Sequence, residues 1–335
     1  MNKGCQCPFL HSLLIPFSYL LSLIPSKTGD LDVSKVYLEI TNYETNTSFT
    51  LPLYGSGENI TSRSDFNTNQ HVVVFVHGFN NHDGGKAQVA SKCTFSQMRR
   101  NGLGVYSILV KHYNYTSPQN LIEDINILGI YKKSAKYAKS IGVTVAKQLL
   151  KQLLEKMDPK QVHVIGHSLG GQIVGYAGRD LKSNGTPLSA LYAADPAGPC
   201  FANCPDEHIR KGDADVTYAF HGNAGEYGSY LNLTDYNFYS HNGVWQLGCE
   251  GTGLIGLIKT AYRSYCSHEK TYSITINPAI LSNKWEATEC SDYEKYSNGE
   301  CASNSITLAG FTITPTTSAG IYFFDPDEDL VCGSD

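Results

Sequence analysis

The sequence predicts an α/β protein with a mostly parallel central sheet and helices on both faces. Short apolar segments rich in β-branched residues, such as residues 71–76 (HVVVFV), are typical of buried parallel strands. Helical patterns separate several of these segments, and such alternation is typical of strands joined by crossover helices. No internal repeat or linker divides the 335 residues. We therefore expect one domain at residues 27–335.

The predicted elements follow one another in the order that this fold class requires. Strands are predicted at residues 36–40, 71–76, 105–110, 162–165, 188–194 and 216–220. A long helix is predicted from Ala135 to Met157, because the next residues, Asp158 and Pro159, are typical of a helix end. A second helix is predicted at residues 169–181.

Composition and charge exclude two classes of protein. Lys and Arg total 26 against 31 Asp and Glu, and neither sign forms a long run, so a basic face for nucleic acid is excluded. Hydrophobic residues make up 41% and charged residues 17%, which excludes disorder of the whole chain. No uninterrupted stretch of about 18 apolar residues is present, so we expect no spanning helix.

The first 26 residues are typical of a secretory signal peptide. Lys3 precedes a mostly apolar stretch at residues 8–24, and small and polar residues follow it. The alternative is an N-terminal core segment, since His11 and Pro16 interrupt the stretch.

Sequons and cysteines also favour an extracellular location. The Asn-x-Ser/Thr sequons lie at Asn46, Asn59, Asn114, Asn184 and Asn232. The ten cysteines form no Cys-x-x-Cys pair, and this number is typical of a secreted, disulfide-bonded protein.

A Gly-x-Ser-x-Gly motif lies between a predicted strand and a predicted helix. Residues 162–171 read VHVIGHSLGG, with Ser168 at the centre of the motif. In this setting the motif is typical of a nucleophile elbow, the turn that exposes the reactive serine of the α/β-hydrolase fold. Gly166 and Gly170 suit the turn because side chains there would collide with backbone. The alternative is a glycine-rich loop with an incidental serine.

A nucleophilic serine requires a histidine as base and an acid that orients it, in the chain order serine, acid, histidine for this fold. Asp195 directly follows the apolar strand at residues 188–194 and is the predicted acid, with a simple turn at Pro196 as the alternative. His268 comes latest in the chain, beside Cys266, and is the predicted base in a loop held by a disulfide.

Five other histidines are weaker candidates for the base. His163 is expected in the core, His167 inside the elbow and His208 at the surface. His221 and His241 are interpreted as structural residues or as residues that line the site.

The oxyanion of an acyl-transfer intermediate requires two backbone N–H donors. Leu169 follows Ser168 at the start of a helix and is one predicted donor. The second is expected in a loop after an earlier central strand, where Gly78 lets the chain fold back and Phe79 supplies the N–H. The alternative for Phe79 is an ordinary turn at a strand end.

These residues resemble the pancreatic lipase family, particularly its insect lipase and phospholipase A1 branch. The matching segments are VHGF (76–79), VHVIGHSLGGQIVGYAGR (162–179), ADPAGPCF (194–201), CSH (266–268) and WEATECSDYEKYSNGEC (285–301). The resemblance implies Ser168, Asp195 and His268 as the catalytic triad. It also implies that Phe79 and Leu169 form the oxyanion hole.

The same resemblance implies three disulfides. They join Cys200 to Cys204, Cys249 to Cys266, and Cys290 to Cys301. Cys93 and Cys332 are left over, and whether they pair stays open.

The chain also departs from the family pattern. The residues after His268 are too few for the C-terminal β-sandwich of vertebrate lipases and are predicted to continue the sheet and helices, so no colipase partner is expected. The segment 221–243 is short, as in phospholipase A1 members. The segment between Cys249 and Cys266 is intermediate in length, which leaves the choice between phospholipid and triacylglycerol open.

A lid is predicted at residues 250–265. Its apolar residues recur at helical spacing and include Leu254, Leu257, Ile258 and Tyr262. Such a face can cover an apolar site in water and bind a lipid surface. The alternative is an ordinary surface helix packed on the core.

Together these features predict a secreted serine lipase that acts on glycerolipids at membranes, lipid droplets or micelles, with phospholipase A1 activity favoured over triacylglycerol lipase activity. A non-catalytic lipid-binding or yolk-type protein is the alternative, since a fold does not fix a function. No cofactor, metal or nucleic acid is expected. The acidic residues at 325–329 are interpreted as a solvated turn and not as a calcium site.

Overall fold

Eleven strands lie in one sheet within the residues that the computed structural model describes, which are 31–54, 59–82, 106–120, 123–124, 126–275, 285–310 and 315–326. The strands are β1 (Tyr37–Asn42), β2 (Thr47–Pro52), β3 (Val72–Val76), β4 (Tyr106–Lys111), β5 (Val162–His167), β6 (Ala190–Ala194), β7 (Val216–His221), β8 (Tyr236–Ser240), β9 (Trp285–Glu289), β10 (Ile306–Ala309) and β11 (Gly320–Phe324). Their order across the sheet is β10-β9-β11-β8-β7-β6-β5-β3-β4-β1-β2.

The seven strands from β11 to β4 in this order pair in parallel, and the outer pairs at both edges are antiparallel. The prediction of a mostly parallel central sheet is therefore confirmed. Strands β9, β10 and β11 all follow His268, so the expectation that this part of the chain continues the sheet is also confirmed.

The described helices are α1 (Tyr113–Thr116), α2 (Ile127–Val145), α3 (Lys151–Leu154), α4 (Leu169–Ser183), α5 (Gly256–Thr275) and α6 (Tyr293–Ser297). A π-helical turn at Ala146–Leu150 joins α2 to α3, so a long helix was correctly predicted here. Its predicted start at Ala135 was wrong, because the helix begins at Ile127, directly after Asn126, a residue type that is common at helix N-caps.

Two strands lie where the sequence analysis predicted none. In β2 only Phe49 and Leu51 alternate with exposed residues, and both are only half-buried, so the strand pattern in this part of the sequence is short. Strand β8 reads YNFYS, and its Asn and Ser residues resemble those of a loop.

The hydrophobic core lies in two layers, one on each face of the sheet. Val72, Val74 and Val76 of β3 belong to the layer that also contains residues of α2 and α4. Val73 and Phe75 belong to the other layer, which includes Tyr272 of α5. Because successive side chains of a strand point to opposite faces, this division shows that the central sheet is covered on both sides.

The chain changes direction across the sheet at β3. Strand β4 lies on one side of β3, and β5 lies on the other. At such a switch point the loops after the two strands separate and leave a crevice at their carboxyl ends, where α/β proteins bind ligands. Phe79 follows β3 and Ser168 follows β5, so the fold places both at this crevice.

Candidate active site

Ser168 occupies a strained turn between β5 and α4. Its backbone has φ 56° and ψ −120°, a left-handed conformation that a residue with a side chain rarely adopts. Its N–H donates to the carbonyl of Ala194 (2.9 Å), and its own carbonyl accepts from the N–H groups of Gly171 and Ala197 (3.0 Å each). These bonds on both sides hold the turn, which is the geometry of a nucleophile elbow.

Two glycines make this turn sterically possible. A Cβ on Gly166 would overlap the carbonyl group of Gly170. A Cβ on Gly170 would overlap the carbonyl oxygen of Val76, because α4 begins directly against the end of β3. The expectation that side chains at both positions would collide with backbone is confirmed.

Asp195 lies directly after β6 with its carboxyl group fully buried. One carboxylate oxygen, Oδ1, accepts the backbone N–H groups of Gly222 (3.0 Å) and Asn223 (3.1 Å). A Cβ on Gly228 would overlap this carboxylate, so the backbone there passes close over the acid. No Arg or Lys within the described ranges pairs with this carboxylate, and the hydrogen bonds offset the cost of its burial.

His268 meets the second carboxylate oxygen. Its Nδ1 lies 2.6 Å from Oδ2 of Asp195, which orients the ring and leaves Nε2 as the nitrogen that can accept a proton. The ring also packs against His167, with centroids 4.7 Å apart, and against Tyr227 at 5.5 Å. Because His167 directly precedes Ser168, the predicted base and the predicted nucleophile lie in the same part of the crevice.

No hydrogen bond joins Ser168 to His268 among the described residues. Catalytic hydrogen bonds are often long before substrate binds, so this geometry is compatible with a serine–histidine pair. The element that carries the histidine differs from the expectation. His268 lies inside the long helix α5 and not in a loop, and the same helix contains most of the predicted lid.

The loop after β3 lies beside the serine. A Cβ on Gly78 would lie 2.9 Å from Cβ of Ser168, so the chain can pass this close only without a side chain. The half-buried ring of Phe79 packs edge-on against Tyr131 with centroids 5.1 Å apart. Leu169 is the first residue of α4 and is fully buried. The backbones that carry the two predicted oxyanion donors thus flank Ser168.

The remaining histidines have other partners. His163 is buried and lies 2.9 Å from the ring of His71, as expected for a core residue. The prediction that His208 lies at the surface was wrong, because it is 1% exposed and its Nδ1 lies 2.6 Å from the carbonyl of Ile209. The sequence around it is polar, and only the tertiary fold covers it.

His221 and His241 both have structural partners. The buried ring of His221 contacts the carbonyl of Ser229 (3.1 Å) and the side chain of Asn237 (3.2 Å). His241 lies 3.1 Å from the carboxylate of Asp325, which also accepts a hydrogen bond from Tyr296 (3.1 Å). In the acidic segment 325–329, which is interpreted as a solvated turn, Asp325 is exposed, and residues 327–329 lie outside the described residues.

Burial makes several histidines around the site weak bases. It lowers the pKa of His167 to about 4, and the neighbouring His268 acts in the same direction. It also lowers the pKa of His77 to about 4 and that of His112 well below the usual value. These rings are therefore neutral near pH 7 and serve as hydrogen-bonding groups and not as cations.

The predicted lid faces solvent with its apolar side. Among its residues Leu257 is 58% exposed, Ile258 67% and Tyr262 43%, while Leu254 is exposed at 36%. The polar side of the helix faces the protein instead.

Two polar side chains of α5 make these inward contacts. The guanidinium of Arg263 lies 4.5 Å from the ring centre of Trp245, and Ser264 donates to Glu226 (3.5 Å). An amphipathic helix was correctly expected here, but periodicity alone does not show which side packs inward.

All six cysteines in the described ranges are disulfide-bonded. The structure contains Cys249–Cys266 and Cys290–Cys301, as the family resemblance implies. Cys200 and Cys204 are each in a disulfide, and their pairing with one another remains a prediction. Cys93 and Cys332 lie outside the described residues.

The five sequons lie within the described residues, whereas the predicted signal peptide lies outside them. Asn46, Asn184 and Asn232 are exposed, and Asn59 and Asn114 are half-buried. Among the described residues, no set of three His, Cys, Asp or Glu side chains is grouped to hold a metal ion. None of the helices described here has the length and apolarity needed to cross a membrane.

The topology of the sheet, the elbow and the order of the site residues define the α/β-hydrolase fold. A sequence model described as "Lipase" matches residues 24–315. The chain therefore belongs to the lipase family, and the expected resemblance to pancreatic lipases is confirmed by its curated relatives.

Three of these relatives indicate the level of similarity. Pancreatic lipase-related protein 3 of Homo sapiens is 27% identical over 206 residues, which cover 54% of this chain and 43% of that protein. Hepatic triacylglycerol lipase of Mus musculus is 27% identical over 261 residues, or 71% of this chain and 47% of that protein. Inactive pancreatic lipase-related protein 1 of Homo sapiens is 26% identical over 187 residues, or 51% and 39%. The chain thus spans less than half the length of each of these relatives.

Proposed function

We propose that this protein is a secreted serine lipase that hydrolyses carboxylic ester bonds of glycerolipids. The observation that carries the proposal is the 2.6 Å contact between His268 and the buried carboxylate of Asp195, next to the strained turn of Ser168. A buried acid, an oriented histidine and an elbow serine together support acyl transfer through a covalent intermediate.

In the proposed reaction Ser168 Oγ attacks the ester carbonyl carbon while His268 Nε2 accepts the hydroxyl proton. Asp195 stabilises the imidazolium that forms, and the N–H groups of Phe79 and Leu169 bind the oxyanion. The intermediate collapses to an acyl-enzyme as the leaving alcohol takes the proton from His268. Water then attacks the acyl-enzyme by the same route, which releases the fatty acid and restores the serine.

Lipid binding is proposed to occur through the exposed apolar residues Leu254, Leu257, Ile258 and Tyr262, which we call the apolar lid face. In water this face is uncovered, and contact with membranes, lipid droplets or micelles would bury it. Because α5 also carries His268, a substrate bound at this face would lie on the helix that supplies the base.

Phospholipase A1 activity is the preferred form of the proposal. The segment 221–243 is short, and its Tyr227 packs against His268 at the edge of the site. A triacylglycerol substrate is the second candidate, favoured by the name of the mouse hepatic relative. A non-catalytic lipid-binding role is the third, since one human relative is named inactive.

Secretion is part of the same proposal. It is supported by the described disulfides, by the three exposed sequon asparagines and by the apolar N-terminal stretch. Expression in a secreting eukaryotic cell should give protein in the medium whose mass falls after enzymatic removal of N-glycans.

An assay of two lipids side by side tests the proposed activity. The protein is added to phosphatidylcholine vesicles and to triolein emulsions, and the position of each released acyl chain is identified. We expect release of the sn-1 fatty acid of phosphatidylcholine at a higher rate than release from triolein, and none with Ser168→Ala. Faster triolein hydrolysis would favour the second candidate, and lipid binding without hydrolysis would favour the third.

A further inference from the structure

The loop that carries Phe79 is fixed by two stacked, buried histidines. His77 and His112 lie with ring centroids 3.7 Å apart and an interplanar angle of 16°. They are 2% and 0% exposed. His77 directly follows β3 and His112 directly follows β4, so the pair joins the carboxyl ends of two neighbouring parallel strands, at the edge of the sheet where Ser168 lies.

The hydrogen bonds of His77 assign one tautomer to it. Nδ1 lies 2.7 Å from the carbonyl oxygen of Gly78, which can only accept, so Nδ1 carries the hydrogen. The backbone N–H of His112 donates to Nε2 (3.2 Å), so Nε2 carries none. The ring of His112 in turn contacts the carbonyl of His77 through Nε2 (2.9 Å). The two residues therefore hold each other in one arrangement.

This arrangement fixes the direction of the N–H group of Phe79. In a trans peptide the C=O of Gly78 and the N–H of Phe79 point in opposite directions. Because the Gly78 carbonyl is hydrogen-bonded to the His77 ring, the N–H of Phe79 points away from that ring. The next amide is fixed as well, since Asn80 N–H donates to the carbonyl of Thr116 (2.9 Å). The peptide is thus held on both sides, next to the Cβ of Ser168.

We propose that His77 is a positioning residue for the oxyanion hole, and that His112 keeps His77 in the tautomer that this requires. The inference rests on the proposed function, since it assigns the Phe79 N–H to the oxyanion. Without the Nδ1–H of His77 the Gly78–Phe79 peptide can rotate, and its carbonyl can then face the site where the N–H is needed. Loss of the Phe79 N–H therefore destabilises the transition state, in which the negative charge of the oxyanion develops, and leaves binding of the substrate unchanged.

Substitutions at His77 test this role. His77→Phe keeps a stacked ring but removes the donor, whereas His77→Asn places an amide N–H2 near the position of Nδ1. On a short-chain soluble ester we expect His77→Phe to lower kcat about 100-fold with little change in KM. His77→Asn should recover most of this loss. His163→Phe is the matched control, because it disrupts another buried histidine pair, with His71, at the far end of β5.

A second readout separates positioning from folding. Sulfur accepts hydrogen bonds more weakly than oxygen, so a thionoester gains less from the oxyanion hole than the matching oxygen ester does. The ratio of kcat on the ester to kcat on the thionoester should fall in His77→Phe and stay unchanged in His163→Phe. An equal loss on both substrates, or no recovery in a folded His77→Asn variant, would overturn the proposal.

The tautomer can be measured in the wild-type protein, which requires no variant to fold. In a 15N-histidine-labelled sample, His77 should show a protonated Nδ1 and an unprotonated Nε2 near pH 7. A protonated Nε2 with a bare Nδ1 would overturn the proposal. If the wild-type protein hydrolyses neither ester, the proposed function fails, while this spectrum still decides whether His77 holds the Gly78 carbonyl.

Discussion

The Nδ1 atom of His268 lies 2.6 Å from Oδ2 of Asp195, although 73 positions separate the two residues in the chain. The other oxygen of the carboxylate accepts the N–H groups of Gly222 and Asn223. Because both oxygens are engaged, the carboxylate has one orientation, and it fixes the imidazole with the hydrogen on Nδ1. This is the arrangement that a general base facing Ser168 requires.

Asp195→Asn should therefore damage the reaction far more than the fold. An amide at this position no longer stabilises the imidazolium or selects the Nδ1–H tautomer, so we expect kcat on a soluble ester to fall roughly 10³–10⁴-fold. Asp213→Asn is the matched control, because Asp213 is also buried but pairs with Arg179 away from the serine. Comparable losses of kcat in both variants would argue against the role of Asp195.

The apolar lid face should contribute to binding at lipid surfaces and should not affect the rate of hydrolysis of soluble esters. Leu257 and Ile258 are 58% and 67% exposed, and burial of such side chains in lipid contributes about 1.5–3 kcal/mol each when complete. The double variant Leu257→Ser, Ile258→Ser should weaken binding to vesicles about tenfold or more, with the rate on a soluble ester unchanged. Vesicle co-sedimentation measures the binding. Ile306→Ser on the edge strand β10, where the side chain is 49% exposed, should bind as the wild type does.

Gly170 and its neighbour Gly171 should differ in their tolerance of an added methyl group. Gly170→Ala places Cβ onto the carbonyl oxygen of Val76, so we expect a loss of about 3 kcal/mol or more in the free energy of unfolding. Gly171→Ala is the neighbouring control, because its Cβ would lie no closer than 3.2 Å to another atom, at Pro196. Urea denaturation measures both, and similar stabilities would contradict the close packing of α4 on β3.

Stability should decrease as the pH falls from about 6.5 towards 4. Burial lowers the pKa of His77, His163, His167 and His208 to about 4 in the folded protein, against 6.5 as the ordinary value. In this window the unfolded chain binds more protons than the folded one, so the free energy of unfolding rises with pH. Each histidine contributes a slope of up to about 1.4 kcal/mol per pH unit. Urea unfolding at several pH values checks this, and a flat profile between pH 7 and 5 would contradict it.

Local sequence signals predicted the parts of the site that depend on local structure. Ser168 and Asp195 each follow an apolar strand, and parallel strands bring their carboxyl ends to one edge, so both positions could be predicted from the pattern. The helix that carries His268 could not, because nothing near Cys266 shows that the lid helix continues past it. The burial of His208 depends on distant residues that cover it, and its own polar neighbours predict exposure.

The His77–His112 pair illustrates the same limit. Nothing in the sequence links the two positions until the sheet order places β3 next to β4. The apolar lid face is a related case, since helical spacing reveals an apolar stripe but not whether protein or solvent lies beside it. The contacts of Arg263 and Ser264 with the protein determine that the stripe faces outward.

Covalent labelling is the most direct test that Ser168, His268 and Asp195 act together. A serine-directed phosphonate ester is incubated with the wild-type protein and with Ser168→Ala and His268→Gln, and labelled peptides are identified by mass spectrometry. We expect one phosphonyl group per molecule on Ser168, none in Ser168→Ala, and labelling of His268→Gln slowed by a factor of about 10³ or more. A label on another residue, or an unchanged rate in folded His268→Gln, would contradict this expectation.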